Sequence, residues 1–379
     1  MRVPARYAEA LPEGAVRCCL CPKRCVVRPG EAGDCRVRVN EGGTLWADGY
    51  GRLAAEAVEP VEKKPFYHFR PGSLCLSVGT FGCNLHCDYC QNWTISQTDG
   101  RAGRPAAAAA EAGPVAGARP DAWSARAAAE ARAAKAAVEA TAAETAEAVA
   151  ARAAAAREAD ARVQSVCFTF TEPVVSLEFV LDAARAARAR GFAVLLKTNG
   201  FVEPEPWSEL LAEVDAVNID LKGLDDAYYA RVLGGWSGPV RAAIEAAFRA
   251  GVHVEVTTLL VPGEFEAPEE VEALAAWLAG VSPDIPLHLP RFYPDFRRGG
   301  APMPREALVA AREAARRHLR YVYLTASPTA GDTDTRCDRC GTRLVRRHGF
   351  AVELGALAAA PDGARGRRCS ACGAAHAFR

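Results

Sequence analysis

The chain has 379 residues, half of them apolar, and 46 basic residues balance 46 acidic ones for a formal charge of zero. Such a chain can bury a sizeable core as one large domain with small appendages, and neutrality gives no general ground for nucleic-acid or membrane-surface binding. No stretch offers the roughly 18 uninterrupted apolar residues of a membrane helix, and Met1 to Ala15 lack the basic start and apolar core of a signal peptide, so a cytoplasmic protein is expected.

Fourteen cysteines in a reducing compartment argue for metal sites before disulfides. The first group lies in residues 1–73, a cysteine-bearing N-terminal module. There Cys18, Cys21, Cys25 and Cys35 follow the pattern C-x2-C-x3-C-x9-C, with Cys19 left as a spare. Four cysteines suit zinc or an iron–sulfur cluster, and the spacing is unlike a pair of ribbon knuckles, so both remain open. The module ends in Glu62-Lys63-Lys64-Pro65-Phe66-Tyr67-His68-Phe69 and the turn Pro71-Gly72.

Residues 74–328 form the core. Leu74 to Val78 reads as a buried strand, and the glycine-punctuated loop behind it holds Cys83, Cys87 and Cys90 at C-x3-C-x2-C spacing. Three close thiolates can hold three irons of a four-iron, four-sulfur cluster and leave the fourth iron open to a small chelating molecule. The plainer reading is a closed zinc or iron–sulfur site with a fourth ligand borrowed from elsewhere. Residues 101–162 interrupt the core: 31 of the 60 residues from Arg101 to Asp160 are alanine. This reads as a low-complexity insertion, helical in part through alanine propensity and poorly packed for want of an apolar face.

From Ser165 onward the pattern is regular. Apolar runs at Ser165 to Phe170, Phe192 to Lys197, Ala216 to Asp220, Val252 to Leu260 and Ile285 to Leu289 alternate with helix-like stretches, and Arg320 to Leu324 offers a further strand. The alternation implies parallel strands with outer helices. With Leu74 to Val78 it gives an incomplete TIM-like (β/α)6 barrel of the α/β class, while a doubly wound open sheet shares the same periodicity. Polar residues gather at the strand ends, where a βα barrel places its ligand site. They are Thr171-Glu172-Pro173, Lys197-Thr198-Asn199-Gly200 and Asp220-Leu221-Lys222-Gly223, with His288 and Arg291 as candidates for the substrate side. Thr171 also reads as a simple helix cap, and the other two as polar turns. Cys75 and Cys167 fall in strand-like runs and read as ordinary buried residues.

Residues 329–379 carry Cys337-x2-Cys340 and Cys369-x2-Cys372, each followed by glycine, the spacing of a zinc ribbon. Four cysteines leave no open coordination position, so the zinc would be structural. Nine arginines between Arg336 and Arg379 make the segment locally basic, which leaves contact with RNA or an acidic partner open beside plain solvation.

The triad of Cys83, Cys87 and Cys90 with Tyr89 resembles the cluster loop of the radical S-adenosylmethionine (SAM) superfamily. That resemblance implies that the open iron binds SAM and that the cluster reduces it to a 5'-deoxyadenosyl radical. Thr171 with Glu172, Thr198 with Asn199, and Asp220 with Lys222 resemble the SAM-pocket motifs of pyruvate formate-lyase activating enzyme and its relatives, although the usual double glycine before Glu172 is missing. The cysteine block Cys18 to Cys25 with Gly33 to Arg38, Glu62 to Pro65, Gln91-Asn92-Trp93, Asn218 to Gly223 and the terminal ribbon are together similar to the radical SAM component of the AmmeMemoRadiSam system. This implies co-occurrence with Memo-like and AMMECR-type proteins and an electron donor such as flavodoxin or ferredoxin. A glycyl-radical activase, or a non-enzymatic iron–sulfur and zinc binding module, is the rival expectation.

Overall fold

The computed structural model describes residues 2–98, 144–325, 329, 331–359 and 366–379. Its centre is one eight-stranded sheet. Strands β1 (Ala55–Pro60), β2 (Leu74–Gly79), β3 (Val163–Phe168), β4 (Ala193–Thr198), β5 (Ala216–Asp220), β6 (His253–Thr257), β7 (Leu287–Pro290) and β8 (Val322–Thr325) lie side by side in chain order. Strands β2 to β8 are mutually parallel. Their sequences are nearly continuous apolar runs such as Val194-Leu195-Leu196, buried as strands covered on both faces must be. Strands β1 and β8 are the two edges and do not pair with each other, so the barrel is partial, with seven parallel strands where six were expected.

The helices follow the strands: α1 (Ala146–Ala159), α2 (Leu177–Ala189), α3 (Pro204–Leu211), α4 (Ser237–Arg249), α5 (Pro268–Val281) and α6 (Arg305–Ala315). No helix among the described residues is long and apolar enough to cross a membrane.

Two sequence expectations need correction here. The boundary at residue 73 cuts through a β-ladder: β1, read as part of the N-terminal module, runs antiparallel to β2, with Ala55 opposite Gly79 and Pro60 opposite Leu74. The alanine-rich segment is also better packed than its composition suggests. Residues 99–143 lie outside the described residues, but α1 is the first helix of the barrel, capped by the Thr145 side chain and burying Val149, Ala150 and Ala153 completely. Its alanines succeed because the facing stripe of α2, Ala183, Ala184 and Ala187, is equally small and equally buried, so the two helices can approach closely without large side chains.

The segment between β1 and β2 enters the barrel. Val61, Phe66 and Phe69 pack against Cys75, Cys167, Leu195 and Ala216 in the lower interior, so Cys75 and Cys167 are ordinary buried residues as expected. Asn218 donates to the carbonyl of Pro65 at 2.8 Å, and Glu255 on β6 accepts the backbone N–H groups of Tyr67 and His68 at 3.0 and 2.8 Å. His288 is the third correction. It is fully buried in this layer, bonded to Glu255 at 2.6 Å and set edge-on to Tyr67, and does not line the cavity at the strand ends. A carboxylate buried at this depth needs such partners, and His253 supplies another at 3.0 Å.

The C-terminal module docks from below. Its strands form two three-stranded antiparallel sheets, Thr335–Arg336, Arg343–His348 and Ala351–Leu354, then Leu357–Ala359, Arg367–Cys369 and Ala375–His376. Arg347 is buried, donates to the Tyr67 carbonyl at 2.6 Å and lies over that ring, so at least this arginine is a packing element and not part of a solvated basic face.

Candidate active site

The C-terminal strand ends open on one cavity of about 490 Å³, lined by Cys83, Cys87, Cys90, Tyr89, Thr171, Glu172, Thr198, Asn199, Asp220 and Lys222. The topology thus gathers into one hollow the three cysteines, Tyr89 and the strand-end residues of β3, β4 and β5 that the sequence singled out, whereas His288 lies outside it. Arg291 lines it too, its Nε held by the Met303 carbonyl at 2.7 Å.

The cysteine loop is fixed from several sides. Gly82, at φ +86°, turns the chain out of β2 in a conformation that side chains resist. The His86 N–H donates to the Leu233 carbonyl at 2.8 Å, and a single helical turn, Trp93–Ser96, closes the loop. Arg298 grips the Asp88 carboxylate through two nitrogens, at 3.0 and 2.7 Å, and Phe296 stacks on Trp93 with ring centroids 5.1 Å apart. Neither Arg298 nor Phe296 was foreseen: they reach the loop from two hundred residues away, and nothing in their local sequence marks them.

Hydrogen-bond donors surround the sulfurs. The Leu85 N–H lies 3.4 Å and the Asn199 side-chain amide 3.6 Å from the Cys83 sulfur, and the Ser96 hydroxyl lies 3.4 Å from that of Cys90. Burial pushes all three thiols up, Cys87 to about 12, so they are protonated at neutral pH and metal loading must release protons. Three thiols around one open cavity, two of them met by donors of the kind that tunes cluster potential, fit a four-iron cluster with one free corner. They do not fit zinc. Four thiolates on one zinc stand about 3.8 Å apart, from Zn–S bonds of about 2.3 Å in a tetrahedron. Only one group of four cysteines among the described residues has its sulfurs all within 4.8 Å of one another, and that group is Cys337, Cys340, Cys369 and Cys372. There Cys337 to Cys372 is 3.6 Å and Cys340 to Cys369 is 3.7 Å, as a closed tetrahedral site requires.

The polar wall opposite the thiols is a connected network. Glu172 accepts from the Thr198 hydroxyl at 2.7 Å, the Asn199 N–H at 2.7 Å and the Val174 N–H at 3.0 Å. Glu172, not Thr171, is therefore the cap of the turn beginning at Pro173; the Thr171 hydroxyl donates to the Thr80 carbonyl instead. Burial pushes the Glu172 carboxyl up to about 7, against the pull of those donors. Burial opposes ionisation of Asp220 as well, yet Lys197 and Lys222 outweigh it and hold that group below its ordinary value. Lys222 lies 3.2 Å from Asp220, and Lys197 bridges Asp220 to Asn218. The Tyr89 hydroxyl meets that of Tyr228 at 3.2 Å, which leaves its ring as the face toward the cavity. Lys63 and Lys64 complete the lining and pair with Glu59, a role the sequence motif did not disclose.

Comparison with known proteins decides the family. The model of the radical SAM superfamily matches residues 77–278, more than half of the chain and all of the cavity wall from the cysteine loop to Lys222. The chain belongs to the radical SAM superfamily. Membership implies a four-iron, four-sulfur cluster and SAM, and Cys83, Cys87 and Cys90 are the thiols placed to hold the first. This radical SAM protein is 33% identical over 372 residues to the uncharacterized protein MJ0808 of Methanocaldococcus jannaschii, covering 97% of each chain. It is 29% identical over 108 residues to the benzylsuccinate synthase activating enzyme of Thauera aromatica, covering 28% of this chain and 33% of that one. Among solved structures, a radical SAM methyltransferase from Sphaerobacter thermophilus aligns over 86% of this chain and 78% of its own, with a TM-score of 0.49 and 14% identity.

Proposed function

We propose that the protein is a reductive radical SAM enzyme in which Cys83, Cys87 and Cys90 hold the cluster and Glu172, Asn199, Asp220 and Lys222 hold SAM. When bound, the cluster supplies one electron to the sulfonium of SAM, which parts into methionine and a 5'-deoxyadenosyl radical. The chain's own residues do the rest. Glu172, tied to the backbone of Asn199, offers a carboxylate to the SAM ammonium. Lys222 and Lys197 hold Asp220 ionised and oriented for the polar end of the nucleoside. The ring of Tyr89 and the apolar rim at Leu259 and Phe292 keep water from the radical. The substrate that would give up hydrogen, leaving 5'-deoxyadenosine and a substrate radical, enters at the strand ends.

The observation that carries this reading is the opening of all three thiols on the same cavity as Glu172, Asn199, Asp220 and Lys222. The test is anaerobic reconstitution, reduction with dithionite, and measurement of 5'-deoxyadenosine and methionine, with the Cys83→Ala, Cys87→Ala, Cys90→Ala variant as control. Formation that depends on the triad supports the proposal. A fully loaded protein that gives none, with or without Memo-like and AMMECR-type proteins added, overturns it.

Likeness to an activating enzyme over 108 residues favours a second, narrower reading: hydrogen taken from a glycine of a partner enzyme. It predicts a protein-centred radical signal by electron paramagnetic resonance after incubation with glycyl-radical enzymes. The AmmeMemoRadiSam assignment, with flavodoxin or ferredoxin as electron donor, rests on the motifs given above, and a core flanked by an N-terminal module that ends before β1 and a C-terminal module at 329–379 belongs to the same proposal.

A further inference from the structure

Cys18, Cys21, Cys25 and Cys35 are brought together in the N-terminal module: the Cys18 N–H donates to the Cys25 carbonyl at 2.9 Å, and a Cβ on Gly33, two residues before Cys35, would lie 3.8 Å from the Cys25 Cβ. Tight turns bring them in: the Arg24 N–H returns to the Cys21 carbonyl at 3.0 Å, the Arg36 N–H to that of Gly33 at 2.8 Å, and both arginines sit at positive φ. The Asp34 N–H points at the Cys25 sulfur from 3.5 Å. Cys19 turns away, toward Glu9 and Arg24. We infer that these four cysteines hold a second iron–sulfur cluster and not zinc.

The molecule supplies its own calibration. The ribbon sulfurs meet the spacing of one zinc ion, all within 4.8 Å, whereas neither the N-terminal four nor Cys83, Cys87 and Cys90 form such a group. Around one ion all thiolates converge on a point. On a cuboidal cluster each binds a different iron and the sulfurs stand further apart. The N-terminal four, like the triad, therefore do not meet the spacing of a single zinc ion.

Its position gives the second argument. A Cβ on Gly82 would lie 2.6 Å from the Cys35 carbonyl, so the loop of the triad rests directly on the backbone of this module. The Asp34 carboxylate meets His86 at 2.9 Å, and His86 lies between two residues of that triad's loop. A cluster with every iron bound by protein has no corner for a substrate. Its chemistry is one-electron carriage, accepting an electron from a low-potential donor protein of the ferredoxin or flavodoxin class and giving it up to its neighbour.

Metal analysis tests this without any turnover. Anaerobically reconstituted full-length protein should contain about eight irons, about eight acid-labile sulfides and one zinc per chain. The Cys83→Ala, Cys87→Ala, Cys90→Ala variant leaves the N-terminal module untouched. It should keep about half of the iron and, when reduced, give a cluster signal by electron paramagnetic resonance. The Cys21→Ala, Cys25→Ala variant should lose the other half while its circular dichroism stays that of the parent. A triad variant that holds two zinc ions and no iron overturns the inference, as does one whose only metal is the ribbon zinc.

Discussion

The backbone N–H of Asn199 is fastened to Glu172 at 2.7 Å while its side-chain amide lies 3.6 Å from the sulfur of Cys83. One residue thus spans the distance between the carboxylate wall and the thiol wall of the cavity. Asn199→Ala should raise the KM for SAM about tenfold or more, since hydrogen bonds to charged groups carry about 1.5–3 kcal/mol. The cluster absorbance should fall less, because all three thiols remain. Separate titrations of iron content and SAM affinity check this, and loss of both in step would show that Asn199 acts only through the fold.

Glu172 makes stability fall as pH rises. Its carboxyl, ordinarily near 4.5, is pushed up by burial to about 7, so the folded chain binds more protons than the unfolded chain between those values. The stabilising contribution is complete below about 4.5 and lost as pH passes 7, a span equivalent to roughly 3 kcal/mol. Burial pushes Glu62 up to about 7 as well, with the same sign. Urea midpoints between pH 4.5 and 8 should decline, and Glu172→Gln should flatten that decline by about half. An unchanged slope in the variant would locate the proton elsewhere.

Arg298→Ala removes the clamp on Asp88 and an ion pair with Glu264 at 3.1 Å. Both partners are partly buried, so the cost should be about 1–2 kcal/mol. The cysteine loop should also give up iron to a chelator several times faster, which the decay of cluster absorbance would follow. Arg298→Lys, keeping charge without the fork, should recover only part of the difference.

Where α1 meets α2 there is no room to spare. Ala153→Leu should lower the urea midpoint by the equivalent of about 1–3 kcal/mol at unchanged slope. Ala155, exposed on the same helix, should accept leucine within about 0.5 kcal/mol. Equal responses at the two positions would contradict the packing described.

If Cys337, Cys340, Cys369 and Cys372 hold zinc, Cys369→Ser should remove it and loosen the module that seats Arg347 on Tyr67, lowering thermal stability while leaving iron content intact. Zinc and iron assays on one sample, with a thermal melt, would decide.

Much of this was legible because the signals are local. The triad is a contiguous motif, and the strand-end residues Glu172, Asn199 and Asp220 were found by a periodicity that survives any register error of one or two residues. What escaped was set by tertiary packing. His288 sits at a strand end in sequence but on the inward, lower face of β7, where Glu255 claims it. Alanines of α1 carry no large apolar side chains, and only the matching small stripe of α2 makes them a core. The N-terminal boundary failed because β1 alternates exposed with half-buried residues over most of its length instead of running apolar, while its hydrogen-bond partner lies across a turn. Arg298 could have been noticed only by knowing what Asp88 needed.

Val61, Phe66 and Phe69 fill the lower interior of the barrel, so among the described residues the cavity is approached from the strand ends. Under the proposed function a hydrogen donor would meet SAM from that rim, and a large one could close the vestibule with its own surface.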